Sequence, residues 1–418
     1  VLDESGSPYP CVVVEDVVLA MGALASCVVQ RLRAEHPVTV VAVTGSVGKT
    51  TTKDLLHGIF GAEGPTVAPR NSYNGEVGVP LTVFTATEDT EYLVIEMGAT
   101  HIGNIRYLCD MVRPDVGAVL CVGSAHAGEF GGVENIARAK GEMVEALAPE
   151  GTAVLNDDDA RVRAMRERTA AHVLSFGEGP EPRDPAHPDP RVWAEDVTTG
   201  ADGCSSFTLH FPDGSAFPVR SQLIGVHHVS NLLAAASVAC AAGVEPARIA
   251  AGLEGRGARS RWRMERTERP DGVTVVNDAY NANPQSMKAA LQTLAQLGRG
   301  DAEHPPRRTI AVIGGMHELG DESIAAHADL GQLLVRLNIS HVVAVGDLAR
   351  PVFTAATLEG SWGEEAAWVP DAEAAQEHLE AVLRPGDIVL LKSSNAAGLH
   401  HLGDRIARRG SDSNDQEG

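Results

Sequence analysis

From residue 37 onward, short apolar runs rich in β-branched residues alternate with longer stretches whose apolar positions recur at helical spacing. The runs are "PVTVVAVT" (37–44), "EYLVIEMGA" (91–99), "VGAVLCVG" (116–123) and "GTAVLN" (151–156). Strands apolar on both faces and separated by helices predict a mostly parallel sheet covered on both sides. Upstream, residues 10–35 predict a short strand, "CVVVED", and then a helix. A second series begins near residue 260: "GVTVVNDAY", "RTIAVIGGM", "HVVAVG" and "DIVLLKSS". Four evenly spaced strands with helical stretches between them predict a second, Rossmann-like α/β unit.

The two series are joined by a different pattern. Residues 178–191, "EGPEPRDPAHPDPR", hold five prolines and predict a surface loop. "FTLHFPDGSAFPVRS" (207–221) has polar alternation broken by Asp-Gly, which predicts a hairpin and a small antiparallel layer on the first sheet. The alanine-rich "HHVSNLLAAASVACAAG" (227–243) predicts a helix on small residues. The tail 411–418 is too polar to pack and is expected to be disordered.

Composition narrows the function. At 418 residues more than one core is expected. The formal charge of −22 excludes a general affinity for nucleic acid, so an anion must enter through a local site. The apolar runs are broken too early for a membrane span, and no leader is visible. Six cysteines without a CxxC pair fit reduced thiols and a cytoplasmic location. Of the 34 basic side chains only five are lysine, at 49, 53, 140, 288 and 392.

"VTGSVGKTTT" (43–52) follows a strand and opens a helix, the setting in which a glycine-lysine loop binds phosphate. Backbone N–H groups of Gly45, Ser46, Val47, Gly48, Lys49, Thr50 and Thr51 would face phosphate oxygens at the helix N-terminus. Lys49 would reach the β/γ-phosphates, and the Thr50 hydroxyl would sit on Mg²⁺. The loop is a short variant, with two residues instead of four between Gly45 and Gly48-Lys49. Glu96 ends the next long strand, where a further metal ligand would come from. His126, in "VGSAHAGEFGG", sits among small residues that let a ligand approach. Lys140 follows on a helix. In a chain that uses arginine for ordinary charge, a lysine there points to an amine that burial can deprotonate, open to carbamylation by CO₂. Trp193 and Trp262 read as packing residues.

These residues together carry a resemblance. The short loop, the strand-end Glu, the "AH" loop and the "AK" helix occur in this order in the Mur ligases, ATP-dependent amide-forming enzymes of bacterial cell-wall synthesis. "NSYNGEVGVPLTVF", "AHAGEFGGVENIARAKGEM", "SRWRME", "NDAYNANPQSM" and "IGGMHELGDES" make the chain similar to the members that add a D-Ala-D-Ala dipeptide. The resemblance runs from about residue 10 to 408. It implies an α/β fold with a central P-loop ATPase-type domain at 37–258, a carboxy-terminal Rossmann-like ligase domain at 259–410, and at 1–36 a remnant of an amino-terminal UDP-binding domain.

What it implies for function is ligation of D-Ala-D-Ala to UDP-N-acetylmuramoyl-tripeptide with ATP and Mg²⁺, by a monomer. It assigns Thr50, Glu96 and His126 to the metal, joined by Lys140 once carbamylated, and makes Lys49, Glu96, His126 and Lys140 the catalytic set. Asn231 is implied to contact adenine, and Arg263, Asp278, Tyr280 and Asn281 to reach the nucleotide from the second domain. Asn71, Asn74, Lys392 and Asn395 are implied to meet substrate. Asn395 stands where relatives commonly carry Arg, which bears on the dipeptide. Two rivals stay open: a folylpolyglutamate- or cyanophycin-type ligase of the same superfamily, and a non-catalytic nucleotide-binding paralogue.

Overall fold

A computed structural model describes residues 6–7, 11–123, 130–300, 305–360 and 365–408. The first sheet contains β1 (Thr39–Thr44), β2 (Thr66–Val67), β3 (Tyr92–Glu96), β4 (Val116–Val119), β5 (Thr152–Asn156), β6 (His172–Glu178), β7 (Arg191–Thr199), β8 (Cys204–His210) and β9 (Ala216–Ile224). Among the described residues its order is β2-β3-β1-β4-β5-β6-β7-β8-β9. Pairing is parallel as far as β7 and antiparallel through β8 and β9. The expected hairpin is therefore present and extends the first sheet. The proline-rich loop before β7 is tied back by the buried Arg191–Asp157 pair and by Arg183–Asp158.

The central parallel strands β1, β3, β4 and β5 are apolar on both sides because helices cover both faces. On one face lie α2 (Lys49–Phe60) and the helices His228–Ala241 and Pro246–Leu253, burying Leu56, Phe60, Leu232 and Leu253 against Val41 and Val94. On the other lie α1 (Val17–Glu35) and the helices Asn104–Val112 and Val133–Glu145, packing Val29, Leu108 and Met143 over Val40 and Ile95. Full burial of each such side chain contributes about 1.5–3 kcal/mol.

The second sheet is formed by β10 (Glu265–Glu268), β11 (Thr274–Asn277), β12 (Thr309–Ile313), β13 (His341–Val345), β14 (Ala366–Val369) and β15 (Ile388–Lys392), in the order β10-β11-β15-β12-β13-β14. All neighbours are parallel except the β10–β11 pair. The α/β class and its two mostly parallel sheets agree with the sequence pattern.

Two readings of the amino-terminal region change. "CVVVED" is not a strand: residues 11–16 pair with neither sheet, and Val12 and Val13 are exposed. A β-branched run without a neighbouring strand leaves its backbone groups to water. α1 is 19 residues long, and its mean hydropathy of 1.5 makes it long and apolar enough to cross a membrane by length and composition alone. It buries Gly22, Ala25, Val29 and Leu32. Gly22 faces the Tyr107 hydroxyl, which would lie 2.1 Å from any Cβ at that position. The tail at 411–418 lies outside the described residues.

Candidate active site

A cavity of about 880 Å³ opens between the carboxyl ends of the first sheet's strands and the second sheet, the place where open α/β sheets bind ligands. β1, β2, β3, β4, β11 and β15 each deliver a side chain or a loop to it. β1 runs directly into the phosphate loop, which turns at Gly48 with φ +88°. That conformation favours glycine, and a Cβ there would also lie 2.3 Å from Asn231 Oδ1. α2 begins at Lys49, so the free N–H groups of its first turn face the cavity.

Lys49 Nζ donates to Gly45 O at 2.7 Å, folding the side chain over its own loop. Burial pulls its pKa down, and Glu96 opposes the shift. β3 pairs in parallel with β1, with Val43 opposite Glu96, and this register puts the Glu96 carboxylate beside the loop. Glu96 is fully buried. Its Oε1 accepts from Ser72 Oγ at 2.6 Å and from Asn74 Nδ2 at 2.8 Å. Its Oε2 has no partner among the described residues. Ser72 Oγ also lies 3.3 Å from the Thr50 hydroxyl.

An orphaned buried carboxylate oxygen beside two hydroxyls forms an all-oxygen donor set, which fits a hard divalent cation such as Mg²⁺. Among the described residues no group of three or more His, Cys, Asp or Glu could enclose a metal. His126, expected at this metal, lies outside the described residues.

Lys140 reaches the cavity from the Val133–Glu145 helix and is only 4% exposed. Burial, reinforced by the neighbouring Lys49 charge, brings its pKa from 10.5 down to about 7. The amine is thus close to half neutral at physiological pH. Beneath the loop, Cys121 Sγ lies 3.5 Å from Val47 N, and burial pushes its thiol pKa up.

The second sheet supplies the opposite wall. Arg263 Nη2 lies 3.3 Å from Thr50 Oγ1, and its guanidinium sits 4.2 Å from the centre of the Tyr280 ring. Trp262 and Met264, on either side, have φ of +59° and +52°. Asp278 Oδ1 accepts the Met264 N–H at 3.1 Å, while its Oδ2 accepts from Lys392 Nζ at 2.6 Å. Lys392 is buried and also donates to Asn281 O at 3.1 Å. Burial lowers its pKa, and Asp278 opposes the shift. Its charge is therefore already matched by Asp278, although the pair borders the cavity.

Of the residues singled out by sequence, Gly45 to Thr51, Asn74, Glu96, Lys140, Asn231, Arg263, Asp278, Tyr280, Asn281 and Lys392 line one cavity. Asn71 is exposed and is not on the lining; nor is Asn395, which is exposed on a short turn.

Other lining residues escaped the sequence reading. Ser72 bridges Thr50 and Glu96, and only its place between Asn71 and Asn74 hinted at it. His227 and His228 lie side by side, their rings tilted by 40° with centres 4.1 Å apart. Burial lowers both, His227 to about 4 and His228, beside His227, well below the usual imidazole range. His228 Nδ1 is 3.0 Å from the Asn231 amide, and its buried Nε2 has no partner among the described residues. Gln285 crosses from the second sheet's side to Gly123, where a Cβ would meet its Oε1 at 1.6 Å.

The chain was compared with known proteins. The family model described as Mur ligase middle domain matches residues 43–239, and the one described as Mur ligase, glutamate ligase domain matches residues 262–395. The chain is similar to the UDP-N-acetylmuramoyl-tripeptide–D-alanyl-D-alanine ligase of Mycobacterium leprae, 43% identical over 406 residues, which covers 94% of this chain and 78% of that protein. The enzyme of the same name from Escherichia coli K12 is 30% identical over 394 residues, covering 94% and 81%. Among solved structures, a MurF from Acinetobacter baumannii superposes with a TM-score of 0.81 at 32% identity, covering 96% of this chain and 84% of that one.

Proposed function

This chain belongs to the Mur ligase family, and from that premise we infer that it joins D-Ala-D-Ala to UDP-N-acetylmuramoyl-tripeptide, using ATP. It is an ATP-dependent amide ligase. The 43% identity over most of the chain favours this reading over a folylpolyglutamate- or cyanophycin-type ligase and over a non-catalytic paralogue. A cytoplasmic place of action, where the precursor is assembled, is part of the proposal. The observation that carries it is the convergence of Lys49, Glu96, Lys140 and Arg263 on one cavity in an otherwise acidic protein.

Amide formation from a free carboxylate needs activation, because hydroxide is a poor leaving group. The tripeptide carboxylate attacks the γ-phosphorus of ATP, forming an acyl phosphate and releasing ADP. The dipeptide amine then attacks the acyl carbon. A tetrahedral intermediate forms, the amine loses its proton and the C–O bond to phosphate breaks. Both stages gather negative charge on oxygen, so the groups that matter are cations and N–H donors aimed at those oxygens beforehand.

The phosphate loop would cradle the polyphosphate through its backbone N–H groups, and Lys49 would leave Gly45 O for phosphate oxygens. Arg263 approaches from the opposite wall and would balance charge on the transferred group. Thr50 and Glu96 would hold Mg²⁺, with His126 and a carbamylated Lys140 as the further ligands proposed. When bound, Mg²⁺ supplies charge neutralisation at the phosphates. Asn231 would meet the adenine, and Asn74 the muramoyl substrate. Asn71 and Asn395 would act on substrate from outside the lining.

The test is phosphate release from ATP with UDP-N-acetylmuramoyl-tripeptide, with and without D-Ala-D-Ala. A ligase turns over only when both are present. Phosphate release indifferent to the dipeptide would overturn the reading.

A further inference from the structure

The helix that starts at the phosphate loop carries two lysines in different surroundings. Lys49 borders the cavity. Lys53, one turn on, is not on its lining and is among the largest fully buried side chains of the protein. Its Nζ donates to Asp54 Oδ1 at 2.6 Å and to the Pro69 carbonyl at 2.9 Å. The other Asp54 oxygen accepts the Ser260 N–H at 2.9 Å. One buried ion pair thus grips two distant segments, 16 residues ahead of Lys53 and 206 ahead of Asp54.

Neighbouring residues on a helix point in different directions, so this pair is not the usual support between side chains one turn apart. Nor is stability a sufficient reason for it. Buried charges lose their hydration, and well-packed apolar residues of similar volume are often as stable or more so. What the pair provides is two directed hydrogen bonds. Pro69 leads into the loop of Ser72 and Asn74, the two donors to Glu96. Ser260 begins the "SRWRM" turn that carries Arg263 to Thr50.

We propose that Lys53 and Asp54 are positioning residues for the ligation reaction, pinning the 69–74 loop and the 260–263 linker to one point of α2 so that the Glu96 donors and Arg263 meet at Thr50. The proposal rests on the ligase reading. It needs no contact between the pair and either substrate. Loss of the pair therefore lowers kcat and leaves ATP binding to the phosphate loop.

The test uses the full chain with Asp54→Ala, Asp54→Asn and the double variant Lys53→Met/Asp54→Leu. The double variant removes both charges together and avoids an unpaired buried charge. It is expected to melt with the wild type, and its kcat is expected to fall by about 10- to 100-fold while KM for ATP stays within about 3-fold. Asp54→Asn keeps an acceptor oxygen for Ser260 and should fall between wild type and Asp54→Ala. Limited trypsin digestion supplies a readout independent of ligation, because cleavage after Arg259 and Arg261 should accelerate about tenfold once the linker is released.

A folded double variant with wild-type kcat overturns the proposal, whatever its digestion. So does a loss confined to KM for ATP. A wild type without dipeptide-dependent turnover would sink the ligase reading instead. Linker cleavage would then decide the positioning claim alone: faster cutting supports it and unchanged cutting ends it.

Discussion

The Arg263 guanidinium, carried on the turn that leads into the second sheet, lies 3.3 Å from the hydroxyl of Thr50 in the first turn of the phosphate-loop helix. That contact spans 213 positions of sequence. It is held by a turn with left-handed residues on both sides of Arg263, each costing roughly 1–2 kcal/mol for an ordinary side chain. Asp278 fixes the turn through the Met264 N–H, and Lys392 fixes Asp278.

Arg263→Ala should lower kcat by about 10²- to 10³-fold, the usual effect of removing one preorganised charge donor. The dissociation constant for ATP should change far less, since the phosphate loop is intact. Steady-state kinetics beside nucleotide titration separates the two. Full ligation by the variant would remove Arg263 from the site.

Glu96→Gln keeps an acceptor for Ser72 and Asn74 but places an amide where the orphaned oxygen stands. The protein should fold with little change in melting temperature, whereas the Mg²⁺ concentration for half-maximal activity should rise at least about tenfold, the scale on which metal-site changes act. A Mg²⁺ titration of activity is the measurement, and an unshifted curve would exclude Glu96 as a ligand.

Gly48→Ala forces a side chain into a left-handed position and against Asn231. Backbone strain alone costs about 1–2 kcal/mol, before any shift of Asn231. The free loop relieves this strain by leaving its phosphate-binding form, so nucleotide affinity should drop by roughly 5- to 30-fold, because every 1.4 kcal/mol is a factor of ten. Isothermal titration with ADP would show it. Unchanged affinity would mean that the turn is not read by the nucleotide.

Lys140 should behave as an amine of pKa about 7. Carbamylation needs the neutral form, so the carbamate signal from ¹³C-bicarbonate should grow as pH rises from 6 to 8 and then level. Below about pH 6 the neutral fraction falls roughly tenfold per unit. Lys140→Arg keeps a positive charge yet should abolish both signal and ligation, since guanidinium stays protonated. An active Lys140→Arg enzyme would make this a lysine of no special role.

How much of this was readable in the chain depends on the range of each interaction. The phosphate loop and Glu96 announce themselves because each lies within or just after a strand whose local pattern is unambiguous, and Lys140 because lysine is scarce in this chain. Ser72, the surroundings of the His227–His228 pair and the Lys53–Asp54 grip on Ser260 do not, because their partners are supplied by tertiary folding. "CVVVED" shows the same limit in reverse: its β-branched residues suit a strand, and no strand comes to meet it. The resemblance implies that Lys392 meets substrate, but its pairing with Asp278, 114 positions away, is supplied by tertiary folding.

The scarcity of lysine has a practical consequence once burial is known. Lys53, Lys140 and Lys392 are buried, Lys49 is folded over its loop, and Lys288 alone is exposed. A bulky amine-directed dye or linker will therefore find a single lysine to attack, on the helix Pro284–Arg299 beside the second sheet. Molecules the size of CO₂ face a different choice, because the amine held neutral lies within the cavity. Access sorts electrophiles by size, which offers one fixed attachment point for a fluorescent reporter on the second sheet's side while the reactive interior stays unlabelled.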